Sequence, residues 1–395
     1  MTEPLNRPIS LYLHVPFCTV KCAYCDFNSY AELEAEIPAW ERALLAELAG
    51  WAPALTGRPV PTVFIGGGTP SLLEGSSVAR ILDAVRSRYE LQPDAEVTLE
   101  ANPESVDADR LRAYREAGVN RLSMGVQSLQ EDELRFLDRI HSAERAFEAF
   151  GIARGAGYTN VSTDLIFGLP GQSLASWQAT LDGVIGWGPD HISAYALIVE
   201  EGTPLALRVG RGEITEADAD LVAAMSEWTE SRLAAAGFAQ YEISNFAKTG
   251  RECRHNLVYW RHEEYLGLGP GAHGFVDGVR YAVERSPLRY ARALQTPTPD
   301  RVPHSPAAVS QEAVDQTTAA LDSFVMGMRL NAGIDAEALA ARYPEAWRRF
   351  SPALAWGAET GLTERDGTTL RLTRRGRRLA NELFVRVFDP SLVGG

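Results

Sequence analysis

Six short runs rich in β-branched and aromatic residues, at 10–15, 62–66, 96–100, 120–125, 160–166 and 191–198, alternate with amphipathic stretches at 37–50, 76–89, 107–117, 143–156 and 174–186. Strand, helix, strand, repeated in this way, sets each strand parallel to the last, because a helical crossover returns the chain to the same end of the sheet. The fold class expected is therefore α/β, with the sheet inside and the helices outside. Six units are too few to close an eight-stranded barrel, so the expectation is an open, partial (β/α)6 TIM-like barrel with a lateral mouth. No fixed-period repeat or low-complexity tract competes with that reading.

A chain of 395 residues exceeds what one ordinary core holds. Residues 1–283 are expected to form the barrel and the segments that lean on it. The Pro-rich stretch 284–306 is expected as a linker. Residues 307–395 then form a small winged-helix-like α+β lobe, with helical patterns at 311–330 and 335–359 and an Asp366-Gly367 turn between two short strands.

Charge narrows the partners. Lys plus Arg number 38 against 52 Asp plus Glu, a net charge of −14, which repels phosphate backbones and argues against nucleic acid. Leu11 to Phe17, broken by His14 and Pro16, is neither a signal sequence nor a membrane span, so a cytoplasmic chain is expected. The four cysteines fall as three within eight residues and one at Cys253. That distribution is unlike a disulfide framework and suits reduced thiolates on a metal.

Parallel sheets of this kind carry their chemistry at the C-terminal ends of the strands. Cys18, Cys22 and Cys25 follow the first strand as CxxxCxxC. This spacing lets three thiolates converge on one [4Fe-4S] cubane and leaves the fourth iron without a protein ligand. An open iron can take the amino and carboxylate groups of S-adenosylmethionine (SAM) and pass an electron into the sulfonium, giving a 5′-deoxyadenosyl radical. A closed zinc site would need a fourth ligand, and only His14 or the distant Cys253 could supply it. Gly66-Gly67-Gly68-Thr69 follows the second strand, where glycines let a charged ligand approach the backbone. Glu100 and Asp164 end later strands and can accept from ribose hydroxyls or an ammonium.

With LYLHVPFCTVKCAYCDFNSY around the cysteines, nearly the whole chain resembles the radical SAM superfamily, in its oxygen-independent coproporphyrinogen oxidase-like branch. The resemblance implies that Tyr12 and His14 sit beside the sulfonium and that Tyr24 lies near the adenine. It further implies that Gly67, Gly68 and Thr69 bind the methionyl ammonium, and that Gln127, Arg139 and Asp164 contribute to SAM or substrate contacts. Ala196 and Leu268 are expected as apolar walls.

The sequence then departs from the oxidases, which carry one more cysteine two residues after the third; here that place is Phe27. The departure resembles the HemW-type heme chaperones. So does His255-Asn-Leu-Val-Tyr259-Trp260, which reads HNxxYW. His255 is expected as an imidazole for heme iron, with Tyr259 and Trp260 as flat faces for the porphyrin. Residue types alone favour a satisfied core histidine and a core tryptophan. His255 and Tyr259 would share a face only if the segment were helical. Cys253 reads as a buried small hydrophobe, and His273 as a spare ligand with a core role favoured. Arg371, Arg374, Arg375, Arg377 and Arg378 suggest a lid or docking face more than DNA, given the acidic chain. The function implied is a heme chaperone that delivers heme to an acceptor protein, one that could be membrane-associated. The alternative is an oxygen-independent coproporphyrinogen III dehydrogenase or a related tetrapyrrole enzyme, with a core competent in principle for reductive SAM cleavage.

Overall fold

The computed structural model describes residues 7–389. The six expected strands form as β1 (Ser10–Val15), β2 (Pro59–Gly67), β3 (Glu90–Ala101), β4 (Arg121–Gln127), β5 (Val161–Phe167) and β6 (His191–Ala196). Each pairs in parallel with its neighbours in chain order. The crossovers are α1 (Ile37–Trp51), α2 (Gly75–Arg88), α3 (Ala108–Ala117), α4 and α5 (Glu131–Phe136, Ala143–Gly155) and α6 (Leu174–Trp187). Asp107, Ser142 and Ser173 cap α3, α5 and α6 by accepting from Arg110, Arg145 and Ser176 backbone N–H groups. Along the strands, core residues such as Leu122, Leu165 and Ile192 alternate with polar residues such as Ser123, Asp164 and Ser193 that line the barrel mouth.

Beyond β6 come α7 (Pro204–Gly210), α8 (Ala219–Ala235), β7 (Ala239–Gln240), β8 (Asn245–Ala247), α9 (Arg254–Trp260), β9 (Tyr265–Leu268), β10 (His273–Val276), β11 (Val279–Val283), α10 (Pro287–Ala293) and β12 (Ala308–Ala313). The sheet order is β12-β11-β10-β9-β1-β2-β3-β4-β5-β6-β8-β7, so it does not close. β9 lies parallel to β1 and adds a seventh parallel strand to the six expected. Its close approach depends on glycine: a Cβ on Gly269, at φ +92°, would stand 2.5 Å from the His14 carbonyl oxygen.

The stretch expected as a linker is instead part of the barrel. Tyr290 on α10 is fully buried and donates to Glu47 Oε2 at 2.8 Å, Ser305 also donates to Glu47, and Gly269 N–H donates to it at 2.9 Å. β12, expected in the C-terminal lobe, pairs with β11 at the sheet edge. The prolines masked this, because the burial rests on a few residues spaced too widely to show periodicity. Burial pushes the Glu47 carboxyl up, against these three donors.

The lobe has its own core around Phe324, Phe350 and Leu383. It comprises α11 (Gln316–Gly327), β13 (Ile334–Asp335), α12 (Ala336–Arg342), α13 (Pro344–Glu359), β14 (Thr363–Asp366), β15 (Thr369–Leu372), α14 (Arg374–Arg378) and α15 (Ala380–Phe388). Pro344 splits the expected 335–359 helix in two, since the residue before a proline is driven out of helical conformation. The Asp366-Gly367 hairpin forms as expected. Two of the arginines, still exposed, reach the barrel's α8: Arg374 Nε donates to Glu230 Oε2 at 2.9 Å and Arg378 pairs with Glu227.

Candidate functional site

The cysteine loop is clamped from three sides. Phe17–Cys18 pairs in parallel with Tyr30–Ala31, and Lys21 Nζ donates to the carbonyls of Phe27 and Ser29 at 3.1 and 3.2 Å. Thr69 Oγ1 donates to Cys18 Sγ at 3.4 Å. From the α4–α5 turn, Asp138 accepts from Ala23 N–H at 3.1 Å and Arg139 reaches Cys22 Sγ at 3.8 Å. Asp138 holds φ at +53°, a costly conformation for a residue with a Cβ, and the turn keeps it there to aim both groups at the loop.

Cys18, Cys22 and Cys25 ring one cavity of about 140 Å³, together with Tyr24, Gly67, Gly68, Thr69, Glu100, Gln127, Arg139 and Asp164. Among the described residues, no three His, Cys, Asp or Glu side chains gather closely enough for a single metal ion. The thiols instead surround a space, which fits a cluster whose own sulfides fill the centre. Burial pushes the Cys18 and Cys25 thiols up, and a bound iron cluster supplies the positive charge that thiolates need there.

Beside this cavity the strand ends form a continuous polar rim. Gly67 sits at φ +118°, and a Cβ there would lie 2.5 Å from the His14 ring. Its N–H donates to Glu100 Oε2 at 2.8 Å. Burial, reinforced by Asp164, raises the Glu100 carboxyl to about 7, with the Gly67 N–H opposing the shift. Asp164 accepts from Ser193 at 2.7 Å, Ser123 at 2.9 Å and Ser162 at 3.2 Å. A register shift in β4 ends at Gln127, whose φ of +68° re-aims its side chain into the rim. His14 Nε2 lies 2.8 Å from the Asn28 carbonyl, which can only accept, so the proton is on Nε2 and Nδ1 accepts from the Tyr12 hydroxyl at 2.9 Å. Burial lowers His14 to about 4, so the ring is neutral.

Two larger cavities, of about 630 and 600 Å³, open from this rim and share Tyr12, Asp26, Phe27, Glu100 and Tyr259. Phe27 is 58% exposed and lines all three cavities. The HNxxYW segment is helical, as α9, and His255 and Tyr259 do share a face. His255 is 1% exposed, with Nδ1 2.7 Å from Thr62 Oγ1 and Nε2 2.9 Å from the Tyr259 hydroxyl. Phe64 stacks on it at 5.2 Å. Burial lowers its pKa to about 3, a neutral imidazole.

Trp260 does not join His255 and Tyr259. It lies on another face of α9, against the C-terminal lobe, with the Arg329 guanidinium 5.8 Å from its ring. A heptad-like reading places i and i+4 together but turns i+5 away. His273, expected in the core, is exposed and lines the larger cavity. Cys253 is buried, its thiol 3.7 Å from Glu96 Oε1. Ala196 lines the 600 Å³ cavity, whereas Leu268 lies wholly within the core. Asp138, Phe64 and Arg121 were not foreseen. Only Asp138 left a signal, its place next to Arg139.

The Radical SAM superfamily model matches residues 12–184, and the HemN C-terminal domain model matches residues 314–379. The chain is 43% identical over 379 residues to the heme chaperone HemW of Mycobacterium tuberculosis, covering 95% of this chain and 94% of that one. It is 36% identical to the heme chaperone HemW of Bacillus subtilis, covering 95% and 98%. It is also 37% identical to the mitochondrial radical S-adenosyl methionine domain-containing protein 1 of Bos taurus, covering 96% and 85%. The solved structure of coproporphyrinogen III oxidase (HemN) from Escherichia coli superposes with a TM-score of 0.82 at 24% identity, over 97% of this chain and 91% of that one, which shows the shared fold. On relatives matched at this identity along nearly their whole length, the chain belongs to the HemW family of the radical SAM superfamily.

Proposed function

We propose that this chain is a heme chaperone of the cytoplasm, holding a [4Fe-4S] cluster on Cys18, Cys22 and Cys25 with SAM beside it and carrying heme in the two cavities that open from the SAM rim. The observation that carries this reading is the pair of cavities that share Tyr12, Phe27 and Tyr259 as walls, the second with Phe64 besides, and are continuous with the strand ends. When bound, the cluster supplies an electron to the SAM sulfonium. The chain's own residues do the rest. Glu100, Gln127 and Asp164 offer carboxylate and carboxamide groups to a ligand bearing an ammonium, a sulfonium and a ribose, Gly67 fixes Glu100 through its N–H, and His14, neutral through burial, is held in one tautomer by Asn28.

His255 is the imidazole we assign to heme iron. It is neutral, as ligation requires, and its Nε2 is capped by the Tyr259 hydroxyl, so ligation displaces that hydroxyl. Phe27 stands where the oxidases resembled here carry a further cysteine, and it supplies a flat apolar face instead of a thiol. No helix among the described residues is long and apolar enough to cross a membrane.

Titration of anaerobically purified protein with heme, wild type against His255→Ala, tests the assignment. The expected result is a changed Soret band and weakened binding. An unchanged spectrum and affinity would remove His255 as the ligand. Incubation of reconstituted protein with coproporphyrinogen III and SAM is expected to give no protoporphyrinogen, and its formation would favour the dehydrogenase.

A further inference from the structure

Arg121, at the start of β4, projects into the floor of the 600 Å³ cavity and is 2% exposed. Its guanidinium makes no hydrogen bond to the described residues, and its Nε is buried without a partner among them. No carboxylate among the described residues lies within ion-pair distance of it. The two nearest in effect, Glu96 and Asp164, are already committed. Glu96 accepts from the N–H groups of Arg254 and His255, and Asp164 from three serines. Burial disfavours the cation, but Cys253, Glu96, Tyr241 and Asp164 around it outweigh burial and keep the guanidinium charged, so a charged donor with unspent hydrogen bonds stands in the cavity wall.

Around Arg121 the cavity is walled by Phe64, Tyr195, Ile166 and Ile198. A ligand that suits this space is flat and apolar with an anionic arm. The fork of the guanidinium matches a carboxylate in a bidentate arrangement, which a lysine could not reproduce.

We propose that Arg121 is the anchor for a carboxylate of the bound ligand, one propionate of the porphyrin, and so fixes which edge of the macrocycle enters the barrel first. This rests on the heme reading. The same carboxylate chemistry could come from the methionyl end of SAM, and the test separates the two sources.

Affinities of wild type and Arg121→Met for heme and for heme dimethyl ester, which lacks free carboxylates, are measured by absorbance titration. SAM affinity is measured in parallel by calorimetry. Wild type is expected to prefer heme over the ester by roughly ten- to hundred-fold, the worth of a charged hydrogen-bonded pair. Arg121→Met should bind both alike, keep its SAM affinity, and melt close to wild type without ligand, because no hydrogen bond or ion pair of the guanidinium with the described residues is there to be lost. Retained preference for heme in Arg121→Met overturns the proposal, as does a loss confined to SAM. A large fall in melting temperature of the unliganded variant also overturns it, by showing that the guanidinium serves the fold. Failure of wild type to bind either porphyrin saturably overturns the heme reading itself.

Discussion

The SAM rim and the cavities beside it are built in opposite ways. At the rim most buried polar groups are already paired, Arg139 Nε excepted: Glu100 with Gly67, Asp164 with three serines, His14 with Asn28 and Tyr12. In the cavity floor Arg121 is unpaired and His255 spends its Nε2 on a tyrosine hydroxyl that can leave. A small polar cofactor with many fixed contacts is served by preorganisation, since its groups meet partners already in place. A cargo that must be taken up and released is served by a roomy, apolar space with few committed polar groups. The difference teaches that one barrel mouth can hold one ligand rigidly and another loosely, by the density of its internal hydrogen bonds.

The largest expected effect breaks the rim. Replacing Cys18, Cys22 and Cys25 together by serine should abolish bound iron and sulfide and the associated absorbance, while heme titration still saturates. Loss of heme binding along with the cluster would erase the distinction between the two regions. Next, Tyr259→Phe removes the hydroxyl that caps His255 Nε2. Heme should bind several-fold more tightly, since no hydrogen bond has to be broken, and weaker binding would show that the hydroxyl belongs to the heme site.

The rim also carries a pH signature. Glu100 is raised from 4.5 to about 7. Its contribution to the unliganded fold is therefore complete below 4.5 and is lost as pH rises through about 7. A cationic ligand reverses the preference, so SAM affinity measured by calorimetry should fall as pH drops from 8 to 6. Glu100→Gln should flatten that dependence, and an unchanged slope in the variant would exclude Glu100 as its source. The smallest effect lies outside both regions: Arg374→Ala with Arg378→Ala breaks exposed pairs to α8 worth about 1 kcal/mol or less each. Thermal unfolding should shift little and heme affinity not at all, and altered heme affinity would tie the lobe to the cavity.

Legibility follows the same divide. Gly67, Glu100 and Asp164 were readable because they lie in the middle or C-terminal half of a strand, and strands can be located from periodicity; Tyr12, His14 and Gln127 came from the family resemblance. The cysteine loop was readable from spacing alone. The cavity floor was not, because Thr62, Phe64, Arg121 and His255 meet only when β2, β4 and α9 pack together, and nothing local marks an arginine inside a strand as unpaired. Trp260 misled for a related reason: a motif names neighbours in the chain, whereas α9 turns them to different sides. Residues 284–306 read as linker because prolines outweighed Tyr290, whose burial depends on a carboxylate more than two hundred residues earlier.

Heme bound as proposed lies against the SAM rim, inside the barrel mouth. Anomalous scattering at the iron edge from crystals of the reconstituted, heme-loaded protein locates the heme iron and the cluster irons in one map. The heme peak is predicted beside His255, in the cavity walled by Phe64 and Tyr259. A heme peak on the C-terminal lobe or on the outer surface of the barrel would contradict the account.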